Sequence, residues 1–219
     1  LNAQVMRKVA EKCYLRTNKL LLELIQKLEG RFTVAYSITG TAIEQFKAWS
    51  PETLDSFKAL VDTGCVELLG ETYYHSLAFL YDTSEFLDQI ALHRELMQRE
   101  FGYYCETFRN TELIYQDSLS DLIYEIEGFK TIITEGADRI LEWRTPLYAY
   151  KNYSKNITLL LNYYQLSDDI AFRFSNRDWP EYPLTVDKFV NWIDHLTLAE
   201  TEGRNQFLNL FMDYETFGE

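Results

Sequence analysis

Residues 107–115 read TFRNTELIY, a short apolar run that ends abruptly in charged and aromatic residues. Residues 210–219 read LFMDYETFGE and show the same arrangement. This pattern is typical of a buried strand that emerges into a functional site, because the apolar part packs inside the protein and the exit stays polar. Glu112 follows the apolar part of the first segment, and Asp213 holds the corresponding position in the second. We therefore expect these two carboxylates to face each other in one site.

Short apolar stretches alternate with segments of helical periodicity along the chain. The helical segments carry apolar residues three and four positions apart, and several end at a glycine, such as Gly64 or Gly102. This alternation predicts a parallel sheet wrapped by helices. A sheet that closes into a barrel brings the carboxyl ends of all its strands to one face. The predicted strands are 32–38, 65–69, 107–109, 130–134, 157–161 and 207–212.

Acidic residues follow most of these strands, which favours a site at that face of the barrel. Loops are polar in most proteins, so polarity alone is weak support. Two tryptophans, Trp143 and Trp179, lie in segments without predicted regular structure and are candidates to stack on a ligand. The acidic residues and the histidine at the exits are Glu71, His75, Glu112, Glu135, Asp138, Asp168, Asp169, Asp213 and Glu215.

Length, charge and cysteine usage limit the class of protein. A chain of 219 residues with 47% hydrophobic residues predicts one domain with a sizeable core. The net charge of −13 makes nucleic acid an unfavourable partner, and no apolar run reaches the length of a membrane span. The cysteines Cys13, Cys65 and Cys105 are odd in number and widely spaced, which favours reduced thiols in a cytoplasmic protein. The composition leaves the oligomeric state open.

A pair of carboxylates suits glycoside hydrolysis. In the retaining reaction one carboxylate attacks the anomeric carbon and the other transfers protons, with about 5–5.5 Å between them. Other chemistries fit less well. His75 is the only histidine at a strand exit, so a histidine-rich zinc site is disfavoured, and no glycine-rich phosphate loop is present. Carboxylates alone could hold Mg²⁺ or Ca²⁺, but we expect neither metal nor cofactor.

Several motifs together resemble glycoside hydrolase family 57, in its α-amylase and amylase-like branch. The resemblance implies a (β/α)7 barrel that cleaves or transfers α-glucosidic bonds with retention, on an α-glucan or maltooligosaccharide. It implies that Glu112 is the nucleophile and Asp213 the general acid/base. The motifs that carry it are 35–40, 63–77, 108–115, 135–139, 166–175 and 211–219.

One departure concerns the extent of the barrel. The family's first strand carries a His-x-Pro motif, and the six strands predicted within 1–219 do not include it. The helical part that often follows the acid/base motif in the family is also outside these residues. We therefore expect residues 1–219 to form a single catalytic barrel domain that is truncated at both ends and lacks the first strand.

The remaining candidates have supporting roles. We expect Arg109 and Arg173 to hold carboxylates in place. Two alternatives stay open, namely an amylase-like homologue that binds glucan without cleaving it and a metal-dependent barrel resembling polysaccharide deacetylases. The residues expected to contact sugar are Glu71, His75, Asp138, Trp143, Trp179 and Glu215.

Overall fold

The computed structural model describes residues 2–198 and 205–218. Its strands are short and mostly parallel. β1 pairs with β2, and β4 pairs with β3 on one edge and with β6 on the other. β5 pairs antiparallel with the edge of β6 that faces away from β4. The strands are β1 (Val34–Tyr36), β2 (Val66–Leu68), β3 (Thr107–Arg109), β4 (Thr131–Glu135), β5 (Tyr150–Lys151) and β6 (Thr158–Asn162).

Helices connect these strands and cover them. Thr39 caps α3 by accepting a hydrogen bond from the Ala42 N–H at 3.1 Å, and Asp82 caps α5 through its carboxylate. The helices are α1 (Asn2–Val9), which continues through a π-helical turn (Ala10–Tyr14) into α2 (Leu15–Lys27), then α3 (Gly40–Trp49), α4 (Pro51–Val61), α5 (Thr83–Phe101), α6 (Asp117–Glu125), α7 (Asp138–Leu141), α8 (Tyr164–Ala171) and α9 (Val186–Leu198).

Gly70 joins the two groups of strands into one layer. Its N–H donates to the Thr107 carbonyl and its carbonyl accepts from the Arg109 N–H, both at 2.8 Å. A Cβ at this position would lie 2.6 Å from the Phe129 ring, so only glycine allows the chain to pass this close. The result is a curved parallel layer, β1-β2-β3-β4-β6, with helices outside it. This is part of a (β/α) barrel, as predicted.

The predicted strand at 207–212 is reduced to one bridge, between Asn209 and Asn162. The reason is that a side chain takes the place of the neighbouring strand. The Phe211 N–H donates to Asn162 Oδ1 at 3.0 Å rather than to a backbone carbonyl. β5 and α8 were not predicted, and the other five predicted strands are confirmed within a few residues.

The core lies between the strands and the helices. Phe108 of β3 is fully buried and meets Phe86 of α5 and Phe129 edge-on, with ring centroids 6.0 and 5.4 Å away. Cys13 and Cys105 are buried free thiols, and Cys65 is a half-buried one. Within the described residues, none of the helices combines the length and the apolarity needed to cross a bilayer.

Candidate active site

A cleft of about 190 Å³ opens at the carboxyl ends of β3, β4 and β6. It brings together Glu112 and Asp213, which are distant in the sequence. Both side chains are exposed to solvent, and the Glu112 side chain is 68% exposed. The cleft is lined by Arg109, Glu112, Leu113, Glu135, Asn162, Ser167, Asp168, Ala171, Phe172, Phe211, Met212, Asp213 and Thr216.

Glu112 lies in a tight turn (Thr111–Leu113) directly after β3 and has a left-handed backbone, with φ 55° and ψ 25°. His75, in the loop after β2, also has a positive φ of 54°. These two residues touch, with 2.8 Å between His75 Nε2 and Glu112 Oε1. Residues other than glycine rarely adopt this conformation, and such strained positions concentrate at functional sites.

Two buried charged residues, Arg109 and Glu71, lie near Nδ1 of His75. Its Nδ1 is 3.3 Å from Arg109 Nη1 and 3.9 Å from Glu71 Oε2. The carboxylate of Glu71 raises the pKa of His75, and that of Glu112 adds to this effect, while burial and the charge of Arg109 oppose it. The imidazolium form is therefore favoured by the carboxylates on both sides of the ring.

Glu71 is only 1% exposed, and its two oxygens have different surroundings. Oε1 accepts a hydrogen bond from the Ser37 hydroxyl at 2.6 Å. Oε2 has no hydrogen-bond partner among the described residues and is 3.7 Å from Arg109 Nη1. Arg109 is 7% exposed and its guanidinium lies 5.1 Å from the centre of the Phe211 ring. Arg109 thus connects the His75 side of the cleft with the segment that carries Asp213.

Asp213 is positioned by the contacts of its neighbours in the chain. The Phe211 N–H donates to Asn162 Oδ1, and it also lies 3.1 Å from Ser167 Oγ. After Asp213, the Tyr214 hydroxyl donates to Asn18 Oδ1 at 2.6 Å, and the Cys13 thiol donates to the Tyr214 carbonyl at 3.0 Å. The backbone on both sides of Asp213 is therefore held by the fold.

Two further carboxylates line the cleft. Asn162 Nδ2 lies 3.3 Å from both oxygens of Glu135, and the Gly136 N–H donates to Oε1 at 2.9 Å. Burial raises the pKa of Glu135, and the charge of Asp168 acts in the same direction. The sequence indicated both carboxylates by their place after strands, but it gave them no role. Phe172, which is 72% exposed, was not identified from the sequence.

The other expected sugar-binding residues lie outside the lining of this cleft. Asp138 accepts hydrogen bonds from the Tyr164 hydroxyl at 2.8 Å and from Gln165 Nε2 at 3.3 Å. Glu215 accepts a hydrogen bond from the Tyr14 hydroxyl. Nothing in these contacts tests a role in sugar binding.

The two tryptophans differ in exposure. Trp143 is 87% exposed, with the Arg144 guanidinium 6.0 Å from its ring centre. Trp179 is partly buried and meets Trp192 edge-on at 6.1 Å. The indole of Trp143 is thus much more accessible to a ligand than that of Trp179.

Arg173 pairs with acidic residues of its own helical segment, beside the cleft. Its Nη1 is 2.6 Å from Asp169 Oδ1, and its Nη2 is 4.0 Å from Asp168 Oδ2. Arg109 pairs with Glu71. Among the described residues, the ion pairs of these two arginines are with Glu71, Asp168 and Asp169 rather than with Glu112 or Asp213.

The described residues include no group of three or more His, Cys, Asp or Glu side chains arranged to hold a metal ion. The acidic side chains that line the cleft are Glu112, Glu135, Asp168 and Asp213. Parallel strands that deliver several carboxylates into one cleft define an α/β-barrel protein with an acidic site.

The chain belongs to glycosyl hydrolase family 57, whose model matches residues 1–219. A curated protein of Methanocaldococcus jannaschii, which carries a provisional alpha-amylase name, is 49% identical over 220 residues. That alignment covers all of this chain and 45% of the relative, so the chain spans about half of the relative's length.

Solved structures share the fold at low sequence identity. The 4-alpha-glucanotransferase of Thermococcus litoralis superposes with a TM-score of 0.72 at 20% identity, over 98% of this chain and 31% of that one. The family 57 branching enzyme of Thermococcus kodakaraensis gives a TM-score of 0.72 at 14% identity, over 99% and 61% of the two chains. At these identities the likeness shows the fold alone.

Proposed function

We propose that this chain carries the catalytic site of a retaining glycoside hydrolase that acts on α-1,4-glucans, with Glu112 as nucleophile and Asp213 as general acid/base. The observation that carries the proposal is the convergence of both carboxylates on one cleft at the carboxyl ends of the strands. Family membership supports the reaction class, and the alpha-amylase name of the 49% identical relative supports the glucan substrate.

The reaction takes place in two steps. Glu112 attacks the anomeric carbon and forms a glycosyl ester, while the bond from that carbon to the leaving oxygen breaks and the oxygen takes a proton from Asp213. Asp213 then removes a proton from water, which attacks the same carbon and releases Glu112. If a sugar hydroxyl replaces water, the result is transfer, as the name of the T. litoralis glucanotransferase indicates for that protein.

Other side chains of the cleft suit a glucose ring. Phe172 offers an exposed aromatic face for stacking. Glu135 and Asp168 can accept hydrogen bonds from sugar hydroxyls. Asp138, Trp143, Trp179 and Glu215 remain candidates for contacts with further glucose units. We expect Phe172→Ala to raise KM for maltooligosaccharides about tenfold with a smaller effect on kcat, because stacking is worth on the order of 1 kcal/mol.

The test uses the full-length natural protein with maltooligosaccharides. We expect Glu112→Gln and Asp213→Asn each to lower kcat by roughly three orders of magnitude or more, since each removes a group that acts in the transition state. The control is Asp88→Asn, which changes an exposed carboxylate on α5. Substrate that remains unchanged by the wild-type protein, in both hydrolysis and disproportionation assays, would contradict the proposal.

Two further measurements separate the two roles. With a substrate whose leaving group needs no proton, Asp213→Asn should retain its first step, whereas Glu112→Gln should not. Added azide should give a product of inverted configuration in Glu112→Gly and of retained configuration in Asp213→Gly, since it replaces the nucleophile in one and the second-step water in the other. Equal behaviour of both variants would refute the assignment of roles.

A further inference from the structure

The group nearest to Nδ1 of His75 can only donate hydrogen bonds, and the group nearest to Nε2 can only accept them. On one side, Nδ1 is 3.3 Å from Arg109 Nη1 and 3.9 Å from Glu71 Oε2. On the other side, Nε2 is 2.8 Å from Glu112 Oε1. These three neighbours come from the loop after β2, from β3 and from the turn after β3. They determine which ring nitrogen of His75 carries a hydrogen.

A guanidinium has no acceptor and stays protonated in proteins. Neutral His75 therefore meets Arg109 with an unprotonated Nδ1 and carries its hydrogen on Nε2, where the carboxylate of Glu112 accepts it. If the ring takes a second proton, Nδ1–H has the carboxylate of Glu71 within 3.9 Å. In both protonation states the Nε2–H group faces Glu112.

We propose that Arg109, held in place by Glu71, is a positioning residue that fixes the Nε2–H tautomer of His75, so that Glu112 is held by Oε1 and attacks through Oε2. This inference rests on the proposed function, because it distinguishes the two oxygens of the nucleophile. The new bond joins Oε2 to the anomeric carbon, and the bond to the leaving oxygen breaks as that oxygen takes the proton of Asp213.

The two charges behind His75 are themselves held in place. Glu71 is anchored by the Ser37 hydroxyl and is buried beside Arg109, so each charge offsets the other in a site with little water. The Arg109 guanidinium also lies over the Phe211 ring, 5.1 Å from its centre. The donor that faces Nδ1 is therefore permanent in charge and fixed in position.

Nuclear magnetic resonance of ¹⁵N-labelled histidine tests the tautomer directly. The ring signals of His75 are identified as those that disappear in His75→Gln. At a pH where the ring is neutral, His75 should carry its hydrogen on Nε2 in the wild-type full-length protein. A neutral ring with its hydrogen on Nδ1 would overturn the proposal.

Arg109→Gln should lower the fraction of the Nε2–H form, because an amide can donate to Nδ1 or accept from it. A matched control is Arg94→Gln, since Arg94 also lies over a phenylalanine ring, at 5.2 Å from the centre of Phe129. Arg94→Gln should leave the His75 signals as in the wild type. A tautomer that is unchanged in Arg109→Gln would overturn the role of Arg109.

The kinetic constants of the Arg109 variants provide a second test of the proposal. Arg109→Gln should lower kcat roughly 10- to 100-fold with a smaller change in KM, as expected when a nucleophile is misplaced, and Arg109→Lys should recover part of the loss. If Arg109→Gln fails to fold, Arg109→Lys decides, because an ammonium can only donate to Nδ1 and the Nε2–H form should then be retained. A neutral ring with its hydrogen on Nδ1 in Arg109→Lys would overturn the proposal.

The resonance experiment does not depend on activity. A wild-type protein that leaves α-glucans unchanged would refute the proposed function, whereas the tautomer of His75 would still be measured. The two failures are therefore distinguishable.

Discussion

At the scale of single residues, the site is built on backbone strain. Glu112 and His75 both occupy the left-handed region, which costs an L-residue about 1–2 kcal/mol relative to right-handed backbone. The strain is retained where the two side chains meet. Strained positions of this kind concentrate at functional sites, which supports the proposed role of Glu112.

The strain at Glu112 predicts that glycine is more stable there than alanine. We expect the free energy of unfolding of Glu112→Gly to exceed that of Glu112→Ala by about 1 kcal/mol, because glycine adopts positive φ without a Cβ clash. The measurement is chemical denaturation of both variants. Glu135, at the end of β4, is the matched control, since its Gly variant should be less stable than its Ala variant. The prediction would be contradicted if Glu112→Gly were less stable than Glu112→Ala, as is expected of the two variants at Glu135.

At the scale of elements, the side chain of Asn162 connects three parts of the barrel. From the end of β6, its Oδ1 accepts from the Phe211 N–H and from the Ser167 hydroxyl of α8, at 3.0 and 2.8 Å. Its Nδ2 faces Glu135 of β4. One amide thus fixes the approach to Asp213 and also the position of Glu135.

Substitutions of Asn162 can separate these two functions. Asn162→Ala should lower the free energy of unfolding by about 2–3 kcal/mol, because it removes the amide oxygen that accepts from both the Phe211 N–H and the Ser167 hydroxyl. Asn162→Asp keeps the acceptor and should be less destabilising, but it places a second carboxylate against Glu135. Denaturation curves and kcat for both variants check this. Asn162→Ala with wild-type stability would show that the amide does not hold the segment.

At the scale of the whole molecule, the sequence predicts the repeating pattern better than the site. Five strands and their alternation with helices follow from periodicity, because alternation and glycine stops are local signals, whereas the barrel was implied by the family resemblance. β5 has two residues and leaves no periodic signal. The contact between His75 and Glu112 depends on positive φ at both residues and on burial of Glu71, which are set by tertiary packing. The type of a residue and its place after a strand therefore identified candidate site residues, but they did not identify the side chains that these residues contact.

The prediction at this scale concerns acid stability and His93, which is fully buried on α5. Its Nε2–H donates to the Ile38 carbonyl, beyond β1, at 2.9 Å, and its Nδ1 has no partner among the described residues. Burial lowers the pKa of His93, while the charge of Glu71 acts in the opposite direction. In the unfolded chain the pKa of histidine is about 6.5. Between this value and the lower pKa of His93 in the folded protein, the unfolded chain therefore binds more protons than the folded protein.

The stability that His93 contributes is fully present above the unfolded pKa and is lost as pH falls through the lowered folded value. His75 has a raised pKa, so its contribution is present at low pH and is lost as pH rises. We therefore expect Tm to fall less steeply between about pH 7.5 and about pH 5 in His93→Gln than in the wild type. Gln keeps a donor for Ile38 and cannot titrate, so the difference between the two curves isolates His93. Parallel curves of Tm against pH would mean that protonation of His93 does not oppose folding.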